Sequence, residues 1–249
     1  MEHDLNHHIV SAFDRDLEGI QARIMKMGGL VEEAIINAAK SLETRDEELA
    51  ERVRSGDAII DALENQLNEE AARVIALRAP TAVDLRVVLS VMRMSANLER
   101  IGDLSKNIAK RTGVLVQMQP IGGTAASLRR MAREVELMLK DALDSYIQRD
   151  EELARDVIER DRDVDQMHNT LFRELLTFML EDTRNITACM HLHFIAKNIE
   201  RMGDHVTSIA EQVVFLKTGE KPGEARPKMD VTSTDAALTG ANGLSESED

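Results

Sequence analysis

The sequence has no tryptophan, one tyrosine, five phenylalanines and one cysteine. With aromatics at only 2% of the chain, the interior must be filled by Leu, Ile, Val, Ala and 13 methionines, and such an aliphatic core suits helices better than sheets. The lone Cys189 cannot form an intramolecular disulfide, which fits a reducing compartment. No apolar run approaches membrane-spanning length, and Met1 to His8 contains no apolar signal region, so a soluble, cytoplasmic protein is expected. Of the four prolines, Pro222 and Pro227 lie near the C-terminus, leaving Pro80 and Pro120 as the interior breaks. Basic residues are in deficit, 31 against 45 acidic ones for a net charge of −14. That balance disfavours nucleic acid and anionic lipid, and favours cations or basic partner surfaces.

What is present is helical patterning almost throughout. Phe13, Leu17, Ile20, Ile24, Met27, Val31, Ala34 and Ala38 recur at alternating spacings of four and three, as do Leu128, Met131, Val135, Met138 and Ala142. This is the seam of a left-handed helix bundle, and no segment alternates as a strand would. Helices are expected at about 12–43, 46–78, 82–112, 125–148, 150–180 and 184–217. Val114 to Thr124, with Pro120, Gly122 and Gly123, reads as a linker. The segment 218–249 is rich in Gly, Ser, Thr, Pro and charge and reads as a disordered tail. Gly28 and Gly29 inside the first helix read either as tolerated helix glycines or as a close helix approach.

The chain repeats itself. Arg45-Asp46-Glu47-Glu48-Leu49-Ala50 matches Arg149-Asp150-Glu151-Glu152-Leu153-Ala154, an offset of 149 − 45 = 104. Asn97-Leu98-Glu99-Arg100-Ile101-Gly102-Asp103 matches Asn198-Ile199-Glu200-Arg201-Met202-Gly203-Asp204 at 200 − 99 = 101, so the second hairpin is three residues shorter. The expected fold is all-α: two tandem three-helix bundles at 8–113 and 125–217, joined by the linker 114–124.

Each half carries two acid-x-x-x-acid pairs, Asp57/Asp61 with Glu99/Asp103 and Asp161/Asp165 with Glu200/Asp204. Spacing of four puts both carboxylates on one helix face. Alone this is weak, because roughly eight such pairs arise by chance in so acidic a chain. The hairpin strengthens it. Asp57 and Asp103 are equidistant from Pro80, as are Asp61 and Glu99, so the pairs should face each other at one height on antiparallel helices. In the second half Asp161 with Asp204, and Asp165 with Glu200, share a midpoint between Asp182 and Thr183. Four facing carboxylates repel one another, and a hard cation such as Mg, Mn or Ca, or clustered Fe or Zn, removes the cost. The alternative is neutralisation by Arg100, Lys106, Arg160, Arg162 and Arg201 as surface ion pairs. His168 and His193 share the carboxylate face of the second half but read as partly exposed helix histidines, and His205 points elsewhere. No Ser or Cys sits in a nucleophile motif and there is no phosphate-cradling glycine loop, so no enzyme activity is expected.

Several motifs resemble the PhoU family of phosphate-uptake regulators. Met27-Gly28-Gly29-Leu30-Val31-Glu32 is similar to its first-helix motif, Arg78-Ala79-Pro80-Thr81-Ala82-Val83-Asp84-Leu85-Arg86 to its turn between the second and third helices, and Glu99-Arg100-Ile101-Gly102-Asp103 and Glu200-Arg201-Met202-Gly203-Asp204 to its signature in both halves. Leu104 stands where many members have His. The resemblance implies two three-helix bundles with metal at the eight carboxylates. It also implies a negative regulator of phosphate-starvation signalling, coupling the phosphate ABC transporter ATPase to a sensor histidine kinase. A homodimer is expected, reaching the inner membrane only through partners. A ferritin-like carboxylate di-iron protein and a metal-free helical scaffold are the alternatives.

Overall fold

The computed structural model describes residues 2–220, with side chains from residue 15 onward; the segment 221–249, most of the expected tail, lies outside the described residues. Within them the chain forms α1 (Glu2–Thr44), α2 (Glu47–Arg78), α3 (Ala82–Leu115), α4 (Thr124–Gln148), α5 (Glu151–Glu181), a single 3-10 turn (Thr183–Asn185) and α6 (Ile186–Thr218). There is no strand among the described residues.

The repeated Arg-Asp-Glu-Glu motif is a turn written twice. Arg45 and Arg149 both sit in the left-handed region, at φ 55° and 54°. Asp46 then caps α2 by accepting from Leu49 N, and Asp150 caps α5 by accepting from Glu152 N and Leu153 N. The acidic pairs Glu47/Glu48 and Glu151/Glu152 occupy the first turns, where the helix dipole favours them. Thr218 is followed by Gly219 at φ 82°, which ends α6.

Two boundaries differ from the sequence reading. α1 starts at Glu2 rather than near residue 12, since no proline or glycine between Met1 and Ser11 stops a helix. α3 runs on to Leu115, which is buried, so the break between halves is 116–123. Arg45 binds this segment, donating to the carbonyls of Val116 and Met118, the latter at 2.8 Å.

α1, α2 and α3 pack together, as do α4, α5 and α6, and the halves join by α3 on α6 and α1 on α4. α2 and α5 are the outer helices, each touching only its own half. One continuous aliphatic core runs through both halves. Ile20, Ile24, Met27, Val31, Ile35 and Ala38 form the buried stripe of α1, with Ile35 taking the place expected of the half-buried Ala34. Gly28 belongs to the α1–α4 contact, where a Cβ would overlap Leu143 Cδ1; Gly29 has open space and is a tolerated glycine.

The α3–α6 seam is antiparallel and partly polar. Arg93 lies 3.5 Å from Gln212, His205 Nδ1 lies 2.9 Å from Asn97 Oδ1, and Arg111 sits 4.5 Å above the Phe194 ring. His205 therefore points to the opposite half. Burial lowers its pKa, with Arg201 and Arg100 adding to the effect against Asp204.

Candidate functional site

In the first half the carboxylates converge between α2 and α3. Asp57 is buried at 3% exposure, and its Oδ2 accepts from Lys106 Nζ at 2.5 Å. The same ammonium lies 3.8 Å from Asp103 Oδ1, which places Asp57 and Asp103 at one height, as the hairpin arithmetic requires. Asp61 is pushed up by burial and then by Asp57, with Lys106 opposing. Glu99 is pushed up by burial and then by Asp103, with Glu64 and Asp61 adding and Arg100 opposing. Arg100 lies 3.5 Å from Glu99 and 3.4 Å from Asp103. The crowding is therefore real, and Lys106 and Arg100 relieve it only in part.

Gly102 explains the glycine of the repeated signature. A Cβ there would lie 3.1 Å from Ile60 Cδ1 and 3.4 Å from Asp57 Oδ1. At Gly203 it would lie 2.9 Å from Asp161 Oδ1. Each glycine lets the first acid of the outer helix pack against the backbone of the inner one.

The second half keeps the geometry and changes the chemistry. Asp165 and Glu200 are buried at 7% and 4% exposure, while Asp161 and Asp204 are half-buried. Lys106 is replaced by Thr207, which turns inward and donates to Gly203 O at 2.8 Å. Lys197, one turn before Glu200, brings its Nζ to 2.9 Å from Glu200 Oε2. His168 is fully buried, contrary to the partly exposed position expected from the sequence, because its face of α5 turns onto α6. Its ring centre is 5.9 Å from that of His193, which is 5.2 Å from Phe172. Arg160, expected as a counter-ion of these acids, instead reaches α4, donating to Glu134 and Asp141 at 2.9 and 2.6 Å.

Both clusters offer ligands that suit a cation: all oxygen in the first half, oxygen with adjacent imidazoles in the second. Asp57 Oδ1 is buried with no hydrogen-bond partner, an acceptor that a positive group would satisfy. With side chains as they stand, no three His, Cys, Asp or Glu among the described residues converge on one point. In the first half the donors are of a kind that suits a metal, with Lys106 Nζ in the cation's place on Asp57 Oδ2. Asp165 and His168 are the one pair at Asp/Glu-x-x-His spacing on these carboxylate faces, short of the two Glu-x-x-His pairs of a di-iron bundle.

Duplicated three-helix units with paired carboxylates on their inner and outer helices define a class of tandem helical-bundle proteins. The PhoU domain profile matches residues 24–112 and 128–213, well over half the chain. A phosphate-specific transport system accessory protein PhoU homolog of Rhizobium meliloti is 45% identical over 93% of this chain and 98% of its own length. One from Caulobacter vibrioides is 42% identical over 92% of this chain and all of its own. The crystal structure of PhoU from Pseudomonas aeruginosa superposes with a TM-score of 0.81 at 35% identity, covering 84% of this chain and 100% of that one. The phosphate transport system regulatory protein PhoU from Streptococcus pneumoniae gives 0.77 at 28%, covering 85% and 99%. The chain belongs to the PhoU family. None of its described helices is long and apolar enough to cross a membrane.

Proposed function

We propose that this protein is a metal-binding regulatory accessory subunit of a phosphate-specific transport system. It damps uptake and starvation signalling by linking the transporter ATPase to a sensor histidine kinase. The reading joins the accessory role named for its relatives to one observation on this chain, the doubled set of acid-x-x-x-acid pairs on neighbouring helices. Asp57, Asp61, Glu99 and Asp103 would hold the first ion and Asp161, Asp165, Glu200 and Asp204 the second. The ion supplies positive charge that fixes the outer helix against the inner one. His168 and His193 open the second site to Zn or Fe as well as Mg or Mn. The role is regulatory rather than catalytic, exerted in the cytoplasm by a homodimer.

Elemental analysis of purified protein beside Asp57→Ala/Asp61→Ala/Glu99→Ala/Asp103→Ala tests this. Near-stoichiometric metal, roughly halved in the variant, is expected from two independent sites. Absence of metal after incubation with Mn, Fe, Zn and Mg would refute it. Glu99→Ala/Asp103→Ala should also weaken binding to the purified transporter ATPase and kinase; full partner binding at equal metal loss would break the coupling.

A further inference from the structure

Outside the carboxylate clusters, the outer grooves of the two halves differ. In the first half, Arg23 of α1 bridges to Glu70 of α2. At the same offset the second half has Ser127 on α4 and Glu174 on α5, since 127 − 23 and 174 − 70 are both 104. The acid is retained and the arginine is gone. Among the described residues Glu174 has no ion pair or hydrogen bond, and between α4 and α5 lies a groove of about 410 Å³. Its floor is Met131 and Leu171, with the exposed Met167 at its edge; its rim carries Glu134, Asp163 and Glu174. Glu134 is held by Arg160. The other two carboxylates sit eleven residues apart on α5, about 16 Å along the groove.

We propose that the α4/α5 groove is a docking site for a basic segment of a partner protein, one arginine of which pairs with Glu174 in the position Arg23 takes in the first half. The first half shows what this groove accepts: a guanidinium spanning two helices onto the matching acid. The second half leaves the place open. Met131 on the floor and Met167 at the edge adapt to apolar neighbours of that arginine, and Asp163 attracts a second basic residue. Arg130, also at the rim, does not oppose this, for it donates to Ser127 Oγ at 2.9 Å and its counterpart Lys26 coexists with Arg23. The inference is independent of whether metal binds.

The test uses the full chain labelled with 13C at its methionine methyls, titrated with N-acetyl-Leu-Arg-Leu-Lys-amide and with the same peptide carrying citrulline for arginine. Saturable shifts at Met131 and Met167, with Met27 silent and citrulline at least tenfold weaker, are expected. Ser127→Arg restores the pair of the first half from within the chain and should abolish the response; Glu174→Gln should weaken it at least fivefold. Conversely, Arg23→Ser should make Met27 respond. Equal binding of the citrulline peptide, or undiminished binding by both Ser127→Arg and Glu174→Gln, overturns the proposal. A dimer that dissociates in Ser127→Arg while the wild type ignores the peptide would assign the groove to a second copy, and overturns it too.

Discussion

The two halves share a backbone plan and differ in how they neutralise the same four acids. The first half inserts Lys106 against Asp57 and leans Arg100 on Glu99 and Asp103. The second half has Thr207 at the lysine's position, adds His168 and His193, and sends Arg160 away to α4. Repeated caps, repeated glycines and the shared hairpin hold the acids in place. Diverged neighbours set the charge and the donor atoms around each set. A duplication can thus keep two sets of acids geometrically alike while placing a lysine on Asp57 in one, and a different lysine on Glu200 beside two imidazoles in the other.

The comparison breaks most sharply at Lys106. Lys106→Met leaves Asp57 buried without its cation and should cost about 2–3 kcal/mol in urea unfolding, discounted from the fully buried case because the lysine is half-exposed. Added Mn should recover more stability in this variant than in the wild type, because the metal no longer competes with an ammonium. Equal Mn stabilisation in the two proteins would show that lysine and metal do not share Asp57. Next is Arg160→Gly, which copies Gly56 of the first half. It removes a guanidinium from Glu134 and Asp141 and puts glycine in a helix interior, for about 2 kcal/mol. The reverse change, Gly56→Arg, should gain less than Arg160→Gly loses, because Glu33 is the acid of α1 that lines the groove beside Gly56. The equivalent first-half neighbours are Leu30, Asn37 and Arg52 in place of Glu134, Asp141 and Asp156.

These contrasts mark what the sequence could and could not disclose. The helices, the Asp46 and Asp150 caps and the facing of Asp57 with Asp103 follow from local rules, namely periodicity, capping and equal distance from one turn. Which helices meet across the halves does not. Periodicity shows that α3 and α6 each bury a face, not that His205 of one meets Asn97 of the other. The separation of Gly28 from Gly29 rests on Leu143, remote in sequence. Likewise, Arg160 lies close in sequence to Asp161, yet its long side chain chose acids on α4, and His168 is buried by a helix packed over it. The offset of 104 was the signal that set Gly56 beside Arg160 and Ser127 beside Arg23.

Smaller effects refine the comparison. Gly102→Ala and Gly203→Ala occupy equivalent positions but should differ. The new methyl at Gly102 meets the movable tip of Ile60, whereas at Gly203 it presses on Asp161 Oδ1 at 2.9 Å with Val164 behind. We expect a melting temperature lower for Gly203→Ala, by the equivalent of about 1 kcal/mol. Equal melting temperatures would mean that Asp161 yields as freely as Ile60.

The smallest expected effect lies on the α1–α4 contact between the halves. Glu32 is pushed above its ordinary value first by burial, then by Glu136 and, more weakly, by Asp144, with Lys140 opposing. A carboxyl with a raised folded-state pKa binds protons more readily folded than unfolded, so stability must fall as pH rises from the unfolded value, about 4.5, through the raised one. Glu32→Gln removes that dependence. The variant should match the wild type at low pH and exceed it at pH 7, by well under ~1 kcal/mol because the side chain remains partly solvated. Urea unfolding at pH 4 and pH 7 measures the difference. A variant that loses stability at pH 7 would show that the attraction of Lys140 outweighs the repulsion of Glu136 and Asp144, so that the charge of Glu32 supports the contact between halves.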